Sequence, residues 1–449
     1  MRRKAGIVIG ACAALALAGS TGAAAWNYST DDSRPVGRWQ DAPASTAVPD
    51  LGVARRAVPD ESASPDASSP AEDDASFPAE DDASSPPEKE PESAPGRQRT
   101  GELLPVDKVL GYHSAAQTFH YPAASYVKLH FNRVMLLPGD YLTVSNPEGT
   151  ESYRYDTPTS DEWAMSVTGD TARLQVHRAA GAALVAGSLL SRLGVDVDRV
   201  ARGFTPVEQR RAPGSQPVGP GHDPREESVC GGDESADAVC YKSADPVAYT
   251  RSQAIVRLLI NGTELCTGWR VGAENRLLTN NHCFSSAAEA RKTEVWFNYQ
   301  CTKCRGQSAR KPVKVRAAQV LATDHTYDYT LFTVTNFPSV RKFGFLSFDP
   351  YRPVKGQELY VPQHPSGEPT RIAGALGDKA GTCVVADNRY DGYVKGSDVA
   401  YYCDTEGGSS GSPVLSRKTN KVVALHHFGG CPNSGVRGDL LFAKLKSLL

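Results

Sequence analysis

The sequence predicts an all-β protein, and two patterns carry that prediction for residues 103–204. Val127, Leu129 and Phe131 alternate with polar residues, which is the period of a half-buried strand. Turn signals such as Pro138-Gly139-Asp140 and Gly169-Asp170 cut the chain into short segments. Short strands between turns, without cysteines, predict a small β-sandwich-like domain.

Length and charge limit the possible classes of protein. At about 150 residues per domain, 449 residues suggest two or three folding units. A formal net charge of −2 argues against a nucleic-acid partner, because proteins that bind nucleic acid usually carry a strong basic excess. The one apolar run that approaches membrane length lies at the N-terminus, so no internal membrane span is predicted.

Residues 1–25 have the pattern of a secretory signal peptide. Basic residues at positions 2–4 precede an apolar stretch over residues 7–18, and small residues follow up to Ala25. This arrangement is typical of exported proteins. About a dozen apolar residues cannot cross a hydrocarbon core of ~30 Å, which disfavours an uncleaved anchor. We therefore expect a secreted, extracellular protein.

Two segments are predicted to be linkers. Residues 26–102 are rich in Pro, Ser and Ala, and residues 41–100 hold 14 acidic and 5 basic residues, a net charge of −9. Such a segment buries too little apolar surface to offset its ordering entropy, so we expect disorder. Residues 205–229 are again rich in Pro and Gly and contain Arg210-Arg211, a dibasic site open to proteolysis. Residues 179–194 are either a short helix or an apolar insertion.

The cysteines indicate a disulfide framework in the C-terminal part. Cys12 lies in the signal peptide, and the other nine all follow residue 229. In an oxidising compartment such cysteines pair, and the odd number leaves one thiol free or paired outside the chain. Cys301 and Cys304 have half of a zinc-site spacing, but no second pair stands at ligand spacing. A disulfide is favoured, and we predict no metal and no cofactor.

Three segments of the last 220 residues carry the chemistry of peptide hydrolysis. In chain order they contain His282, Asp328 and Ser410. Amide hydrolysis at neutral pH needs an activated nucleophile, a base that takes its proton and a group that orients the base. These three residue types supply those roles. The glycines around Ser410 allow the N–H groups of Gly408 and Ser410 to point at a developing oxyanion.

The order His, Asp, Ser makes the set specific. Each segment alone has an ordinary explanation, namely a packed histidine, a turn cap or a glycine-serine loop. α/β-Hydrolases place the serine first, and residues 408–412 lack the last glycine of their G-x-S-x-G turn. Subtilisin-like enzymes run Asp, His, Ser.

These residues resemble the secreted bacterial branch of the trypsin-like, chymotrypsin-fold serine endopeptidases, which includes lysyl and glutamyl endopeptidases. Thr279-Asn-Asn-His282-Cys283 is similar to the family's T-A-A-H-C, with two asparagines in place of two alanines. Gly408–Pro413 matches the branch's G-[SN]-S-G-S-P. Segments similar to this branch also occur at residues 296–301, 363–367 and 422–430. The resemblance covers roughly residues 230–449.

The resemblance implies two six-stranded antiparallel β-barrels over residues 230–449, with the three residues in the cleft between them. The domain over 103–204 would then be a pro-domain or an accessory domain. The resemblance also implies four disulfides, which are Cys266–Cys283, Cys383–Cys403, Cys230–Cys431 and Cys240 with either Cys301 or Cys304.

A preference for Lys or Arg before the scissile bond is expected, because a buried cation needs a carboxylate partner. The resemblance offers two acids for this role: Asp404, six residues before Ser410, and Asp439, eight residues after Cys431. Asp404 is alternatively a structural acid bonded to nearby backbone. His426-His427 resembles the region where glutamyl endopeptidases place a histidine that binds an acidic side chain, and His426 is the residue predicted for this role. A glutamyl-specific enzyme is therefore the alternative.

The sequence therefore predicts a secreted, monomeric serine endopeptidase that hydrolyses protein or peptide substrates through an acyl-enzyme on Ser410. A non-catalytic binding protein on a protease fold is a competing hypothesis, but such proteins usually lose a triad member, and all three are present here. A zinc hydrolase would need H-E-x-x-H or an equivalent ligand cluster, which the sequence lacks.

Overall fold

The computed structural model of the chain describes residues 38–39, 96–111, 114, 116–179, 193–212, 228–306, 308–374, 376 and 383–449. The predicted signal peptide, most of the predicted acidic linker and residues 180–192 of the apolar segment lie outside the described residues. Within the described residues, no helix is long and apolar enough to span a membrane.

The strands of the described residues are numbered in chain order. They are β1 (Arg38–Trp39), β2 (Gln98–Arg99), β3 (Gly101–Gly111), β4 (Gln117–His120), β5 (Tyr126–Met135), β6 (Tyr141–Ser145), β7 (Ser152–Tyr155), β8 (Thr159–Trp163), β9 (Val167–Thr168), β10 (Thr171–His177), β11 (Gly194–Gly203), β12 (Ala236–Asp237), β13 (Ile255–Ile260), β14 (Glu264–Arg270), β15 (Leu277–Thr279), β16 (Glu294–Phe297), β17 (Val313–Asp324), β18 (Tyr329–Val334), β19 (Leu359–Gln363), β20 (Arg371–Ala373), β21 (Val385–Tyr390), β22 (Asp398–Tyr401), β23 (Pro413–Ser416), β24 (Val422–Phe428) and β25 (Asn433–Arg437).

The helices of the described residues are short. The α-helices are α1 (Pro206–Arg211), α2 (Tyr241–Ala244), α3 (Pro246–Ser252), α4 (Ala287–Arg291), α5 (Phe337–Val340) and α6 (Gly438–Leu445). Single 3₁₀ turns cover Ala238–Cys240, Arg341–Phe343 and Pro365–Gly367.

The predicted all-β class is confirmed, and the N-terminal domain is built from two sheets. One has the strand order β1-β7-β6-β10-β4, and the other has the order β3-β11-β5-β8 with β9 beside β5. Alternate residues of both sheets, such as Leu129, Val144 and Val197, enter one shared core. The alternation seen in the sequence thus marks the face that this sandwich buries.

The first barrel of the C-terminal domain is closed. Its antiparallel strands run in the order β13-β16-β17-β18-β15-β14, and β13 pairs with β14 to complete the ring. All six residues of β13 are buried, because one face lines the barrel interior and the other packs outside it. The short strand β2 pairs with Glu264 and Leu265 of β14, beyond the two residues of β14 that pair with β15.

The second barrel contains β19-β23-β24-β25-β22-β21 in that order. A bridge between Glu358 and Val384 joins the end of this path to the start of β19 and so closes the ring. A separate hydrophobic core lies between the two barrels, with Trp269 and Leu331 from the first and Leu415 and Leu425 from the second. Burial of these side chains fixes how the two barrels face each other.

The N-terminal domain contacts the first barrel through buried charges. The carboxylate of Glu294 in β16 accepts hydrogen bonds from Lys128 and from the backbone and hydroxyl of Ser166. Nζ of Lys314 lies 2.7 Å from the carboxylate of Glu151. Lys128 and Glu294 are each at most 2% exposed, so each charge depends on its partner for stabilisation.

The structure corrects both predicted linker boundaries. Residues 96–102, expected to be disordered, include β2 and the start of β3, because β2 pairs with β14. Residues 206–211, expected to be part of a linker, form α1. A capping box between Thr205 and Glu208 satisfies the N-terminal amides of α1, and Arg210 and Arg211 lie exposed in its last turn.

Candidate active site

His282 and Asp328 meet at the end of the first barrel. His282 follows β15, and Asp328 directly precedes β18, which pairs with β15. Nδ1 of His282 lies 2.8 Å from Oδ2 of Asp328, and the backbone N–H of His282 donates to Oδ1 at 3.0 Å. One carboxylate therefore fixes both the ring and the backbone of the histidine, and it directs Nε2 away from itself.

The two asparagines that depart from the family motif have structural partners. The side-chain amide of Asn280 donates to the backbone carbonyl of Asp328 at 2.8 Å. The amide of Asn281 donates to the hydroxyl of Thr323 at 2.8 Å. Both bonds tie the histidine loop to the chain around Asp328, so the substitution adds contacts here instead of disturbing the site.

A second histidine shares the same carboxylate. Nδ1 of His427 lies 3.1 Å from Oδ2 of Asp328, and its Nε2 lies 2.7 Å from Oδ2 of Asp398. Asp398 also accepts a hydrogen bond from the hydroxyl of Ser434 at 3.0 Å. His427, Asp328 and Asp398 are all buried, so this chain of charges is shielded from water.

The pKa shifts follow from these contacts. Burial alone would raise the pKa of Asp328, but His282 and His427 outweigh it and hold that pKa well below its usual range. Burial would lower the pKa of His427, whereas the two flanking carboxylates raise it to about 9. Asp328 is therefore ionised and His427 is cationic at neutral pH.

Sequence reasoning named the His426-His427 pair but gave His427 no function. The available signal was two adjacent histidines inside the apolar run Val422–Phe428, where unpaired polar side chains are costly. Asp398 could not be found from the sequence, because its contact with His427 spans 29 residues and two strands.

The loop around Ser410 lies where the two barrels meet. The backbone carbonyl of Ser410 accepts the N–H of Thr267 in β14 at 2.9 Å, and the N–H of Gly411 donates to the carbonyl of His426 in β24 at 3.0 Å. A Cβ atom at Gly411 would lie 2.2 Å from the carbonyl oxygen of Thr267, so only glycine fits there. The loop is thus anchored to both barrels.

Gly408 and Ser410 are the residues whose backbone N–H groups are predicted to form an oxyanion hole. Neither backbone N–H donates a hydrogen bond within the described part of the chain, although both residues are buried or nearly so. Gly408 has a φ of +98°, which L side chains rarely adopt, and its carbonyl accepts a hydrogen bond from Thr267 at 2.8 Å. Two backbone donors without partners beside Ser410 could bind a developing negative charge.

The comparison with protein families gives the same assignment for this region. Residues 266–425 match the family described as the trypsin-like peptidase domain, and this range includes His282, Asp328 and Ser410. Together with the two closed barrels, this match confirms the chymotrypsin-like fold that the motifs implied.

Several known proteins are similar to part of the chain. A protein of Plasmopara viticola named "Secreted RxLR effector protein 73" is 41% identical over 228 residues, which is 49% of this chain and 56% of that protein. An uncharacterized protein, y4fB, of Sinorhizobium fredii (strain NBRC 101917 / NGR234) is 27% identical over 199 residues, 40% of this chain and 28% of that protein. The chain thus spans about half of the first relative and less of the second.

Solved structures of proteases are also similar. The structure titled "Structure of Glu endopeptidase in complex with MPD" is 18% identical, has a TM-score of 0.35, and covers 49% of this chain and 98% of its own.

In the C-terminal domain, eight cysteines lie in the four pairs that the resemblance implied. Their Cα–Cα distances are 6.1 Å for Cys266–Cys283, 4.2 Å for Cys383–Cys403, 5.6 Å for Cys230–Cys431 and 4.7 Å for Cys240–Cys304. Of the two candidates for Cys240, the structure selects Cys304 and leaves Cys301 as a buried thiol.

Cys266, His282 and Cys283 are close enough together to suggest a metal site. Both sulfurs are joined in the disulfide beside His282, so they offer no thiolate to an ion. This group of residues is a structural disulfide next to the candidate base.

Asp404 has a structural role in the peptidase domain. Its Oδ1 accepts the N–H of Cys230 at 3.1 Å, and its Oδ2 accepts the N–H of Glu234 at 2.8 Å. It is 4% exposed, and burial raises its pKa. Both carboxylate oxygens hold the segment around Cys230 in place, which favours the alternative that Asp404 is a structural acid over its predicted role in substrate specificity.

Asp439 and His426 are also engaged. Asp439 lies in the first turn of α6 and forms a two-bonded ion pair with Arg437, at 3.0 and 2.5 Å. This neutralises the charge on which its predicted specificity role depended. Nδ1 of His426 lies 2.6 Å from the hydroxyl of Tyr401. Burial, together with the positive charge of His427, lowers the pKa of His426 to about 3, so its ring is neutral.

Proposed function

We propose that the protein is a serine endopeptidase in which Ser410 is the nucleophile, His282 the general base and Asp328 the group that orients the base. The observation that carries the proposal is the hydrogen bond between His282 Nδ1 and Asp328, in a cleft where the N–H groups of Gly408 and Ser410 have no partners among the described residues. Each element of acyl transfer is thus represented by a residue of suitable chemistry.

The proposed reaction follows from this arrangement. Nε2 of His282 takes the proton of Ser410 as its Oγ attacks the substrate carbonyl, and a covalent acyl-enzyme forms. The N–H groups of Gly408 and Ser410 stabilise the oxyanion, and His282 then gives its proton to the departing amine. Because Asp328 stays ionised, it stabilises the imidazolium formed in the first step.

Secretion is part of the proposal. It is supported by the signal-peptide pattern of residues 1–25, by the four disulfide pairs and by a relative whose name describes it as secreted.

The residue preferred before the scissile bond is a separate question. The expected preference for Lys or Arg loses its support from Asp404 and Asp439, because backbone amides and Arg437 hold their carboxylates. His426 is the remaining residue that sequence analysis assigned to specificity, but its ring is neutral and bonded to Tyr401, so it offers no cation to an acidic side chain and favours neither alternative. Turnover of matched peptides with Lys, Arg, Glu or Ala before the leaving group distinguishes these possibilities.

A fluorophosphonate probe followed by peptide mapping tests the proposal. The probe reacts with an activated serine, so we expect a single adduct on Ser410 after prolonged incubation of the folded protein and none after heat unfolding. His120→Ala is a suitable control, since this exposed ring lies in β4 of the N-terminal domain and contacts Thr171 and Asp170 there. An adduct on another residue, or no difference between folded and unfolded protein, would contradict the proposal.

A further inference from the structure

A segment of the chain itself lies in the candidate active site. Residues 96–100 precede the N-terminal domain, yet β2 within them pairs antiparallel with β14 of the peptidase domain, Arg99 opposite Glu264 and Gln98 opposite Leu265. The N–H of Thr100 adds a hydrogen bond to the carbonyl of Thr263 at 2.8 Å. An extended peptide added to a sheet edge is a recurring way in which proteins bind peptides.

Arg97 anchors this segment through all three nitrogen atoms of its guanidinium group. Nε donates to the backbone carbonyl of His282 at 2.9 Å, Nη1 to Glu264 at 2.8 Å and Nη2 to Glu289 at 2.7 Å. The side chain is only 9% exposed. Two carboxylates and a carbonyl around one guanidinium form a site whose geometry and charge select arginine.

The acidic site is held in place by the peptidase domain. Oε2 of Glu289 accepts hydrogen bonds from the backbone and hydroxyl of Ser286 in the capping box of α4, which leaves Oε1 directed at Arg97. Glu264 belongs to β14, the strand with which the segment pairs. The site is therefore organised by elements that are needed for the barrel itself.

Gly96 covers the imidazole of His282. A Cβ atom at Gly96 would lie 2.8 Å from Cδ2 and 2.9 Å from Nε2 of His282, so the Gly96 backbone occupies the space beside the ring. Nε2 is buried and has no hydrogen-bond partner among the described residues, and Ser410 is 1% exposed. The proposed base and nucleophile are thus closed off from an incoming substrate.

We infer that Glu264 and Glu289 form an arginine-binding subsite beside His282, an inference that rests on the proposed function. Residues 96–100 occupy this subsite as an internal pseudosubstrate and block the cleft. The N–H of Phe204 donates to the carbonyl of Thr100 at 2.9 Å, so the N-terminal domain tethers the segment at high effective concentration.

The test compares full-length wild type with Arg97→Ala and Gly96→Val. The first variant removes the guanidinium contacts, and the second adds a side chain where His282 leaves no room and where φ is +84°. We expect each variant to raise kcat/KM for a small peptide substrate at least tenfold. Lys108→Ala, which removes an equal charge from an exposed position in β3, is expected to stay within twofold of wild type.

A second measurement, amide hydrogen exchange, reports whether residues 96–100 are bound to the peptidase domain and does not depend on enzyme activity. In the full-length Ser410→Ala background, we expect slow amide hydrogen exchange at residues 98–100 and a loss of that protection in Arg97→Ala. A synthetic peptide with the sequence of residues 96–104 should inhibit the Arg97→Ala enzyme, and the same peptide with Ala at the second position should inhibit at least tenfold more weakly.

Two results would overturn the inference. One is equal turnover by wild type, Arg97→Ala and Gly96→Val, with Ser410 labelled equally by the fluorophosphonate in all three. The other is rapid exchange at residues 98–100 in the Ser410→Ala chain. A third result would separate the two proposals. If the amides of residues 98–100 are protected but the fluorophosphonate labels Ser410 in none of the variants, the proposed function is contradicted while the binding of the segment is supported.

Discussion

Nδ1 of His427 lies 3.1 Å from Oδ2 of Asp328, the carboxylate oxygen that also lies 2.8 Å from Nδ1 of His282. Asp328, the orienting acid of the proposed triad, therefore also contacts the buried, cationic ring of His427. Nε2 of His427 in turn lies 2.7 Å from Oδ2 of Asp398. This relay fixes the position of Asp328 and helps keep it ionised.

His427→Ala should impair turnover more than substrate binding. Asp328 would lose one of its two imidazole partners, and Asp398 would be left buried without its cation. We expect kcat to fall about 10- to 100-fold, the range that follows loss of an outer-shell partner, with little change in KM. Steady-state kinetics measure this. Unchanged kcat, with His120→Ala as the control, would show that His427 does not position Asp328.

The same histidine predicts a pH dependence of stability. The pKa of His427 is raised in the folded state, from an unfolded value near 6.5 to about 9. Its contribution is therefore complete below about pH 6.5 and is lost as the pH rises through about 9. Unfolding melts between pH 6 and 10 should show a Tm that decreases across this window, and His427→Ala should flatten the decrease. An equally steep decrease in the variant would contradict this assignment.

Glu294→Gln should weaken the contact between the N-terminal domain and the first barrel and lower the free energy of unfolding. This carboxylate is buried between Lys128 and Lys314, which hold its pKa at about 2 although burial alone would raise it. The variant leaves the buried ammonium group of Lys128 without its counter-charge, which typically costs about 3–5 kcal/mol, whereas Lys314 keeps Glu151. Chemical denaturation followed by intrinsic fluorescence measures the loss. Glu148→Gln, at an exposed position in a turn, is the matched control and should be neutral within about 0.5 kcal/mol.

Cys301 should be the single unpaired thiol among the cysteines after residue 229. It is 5% exposed, and burial, with Asp237 nearby, raises its pKa to about 11. A thiol alkylating agent at neutral pH should therefore leave the native protein unmodified and label Cys301 after unfolding without reductant. Peptide mapping identifies the site. Labelling of Cys304 instead would mean that Cys240 pairs with Cys301.

The fold and the proposed triad could be predicted from short motifs, because local packing permits few residue types in the loops that carry His282 and Ser410. His282 lies beside a cysteine that pairs across the loop, and Gly411 admits no side chain. The N-terminal sheets could be predicted for a comparable reason. Val127, Leu129 and Phe131 alternate with polar residues because these three side chains lie on the face of β5 that the core buries.

The missed features depend on contacts between distant residues. Arg97 was assigned to a disordered linker because its neighbours in sequence are acidic, Pro-rich and Ser-rich, yet its partners Glu264 and Glu289 lie 167 and 192 residues away. Asp404 and Asp439 were assigned to specificity from spacing alone. Spacing could not show that backbone amides and Arg437 already hold their carboxylates.

The most direct test of the central claim is peptide hydrolysis by Ser410→Ala beside wild type, both carrying Arg97→Ala so that the cleft is open. If Ser410 is the nucleophile, the variant should lose about 10⁴- to 10⁶-fold in kcat. It should keep the Tm of its parent, because removing one hydroxyl leaves the packing of the loop intact. Activity within tenfold of the parent would contradict the assignment of Ser410 and, with it, the account of this protein as a serine endopeptidase.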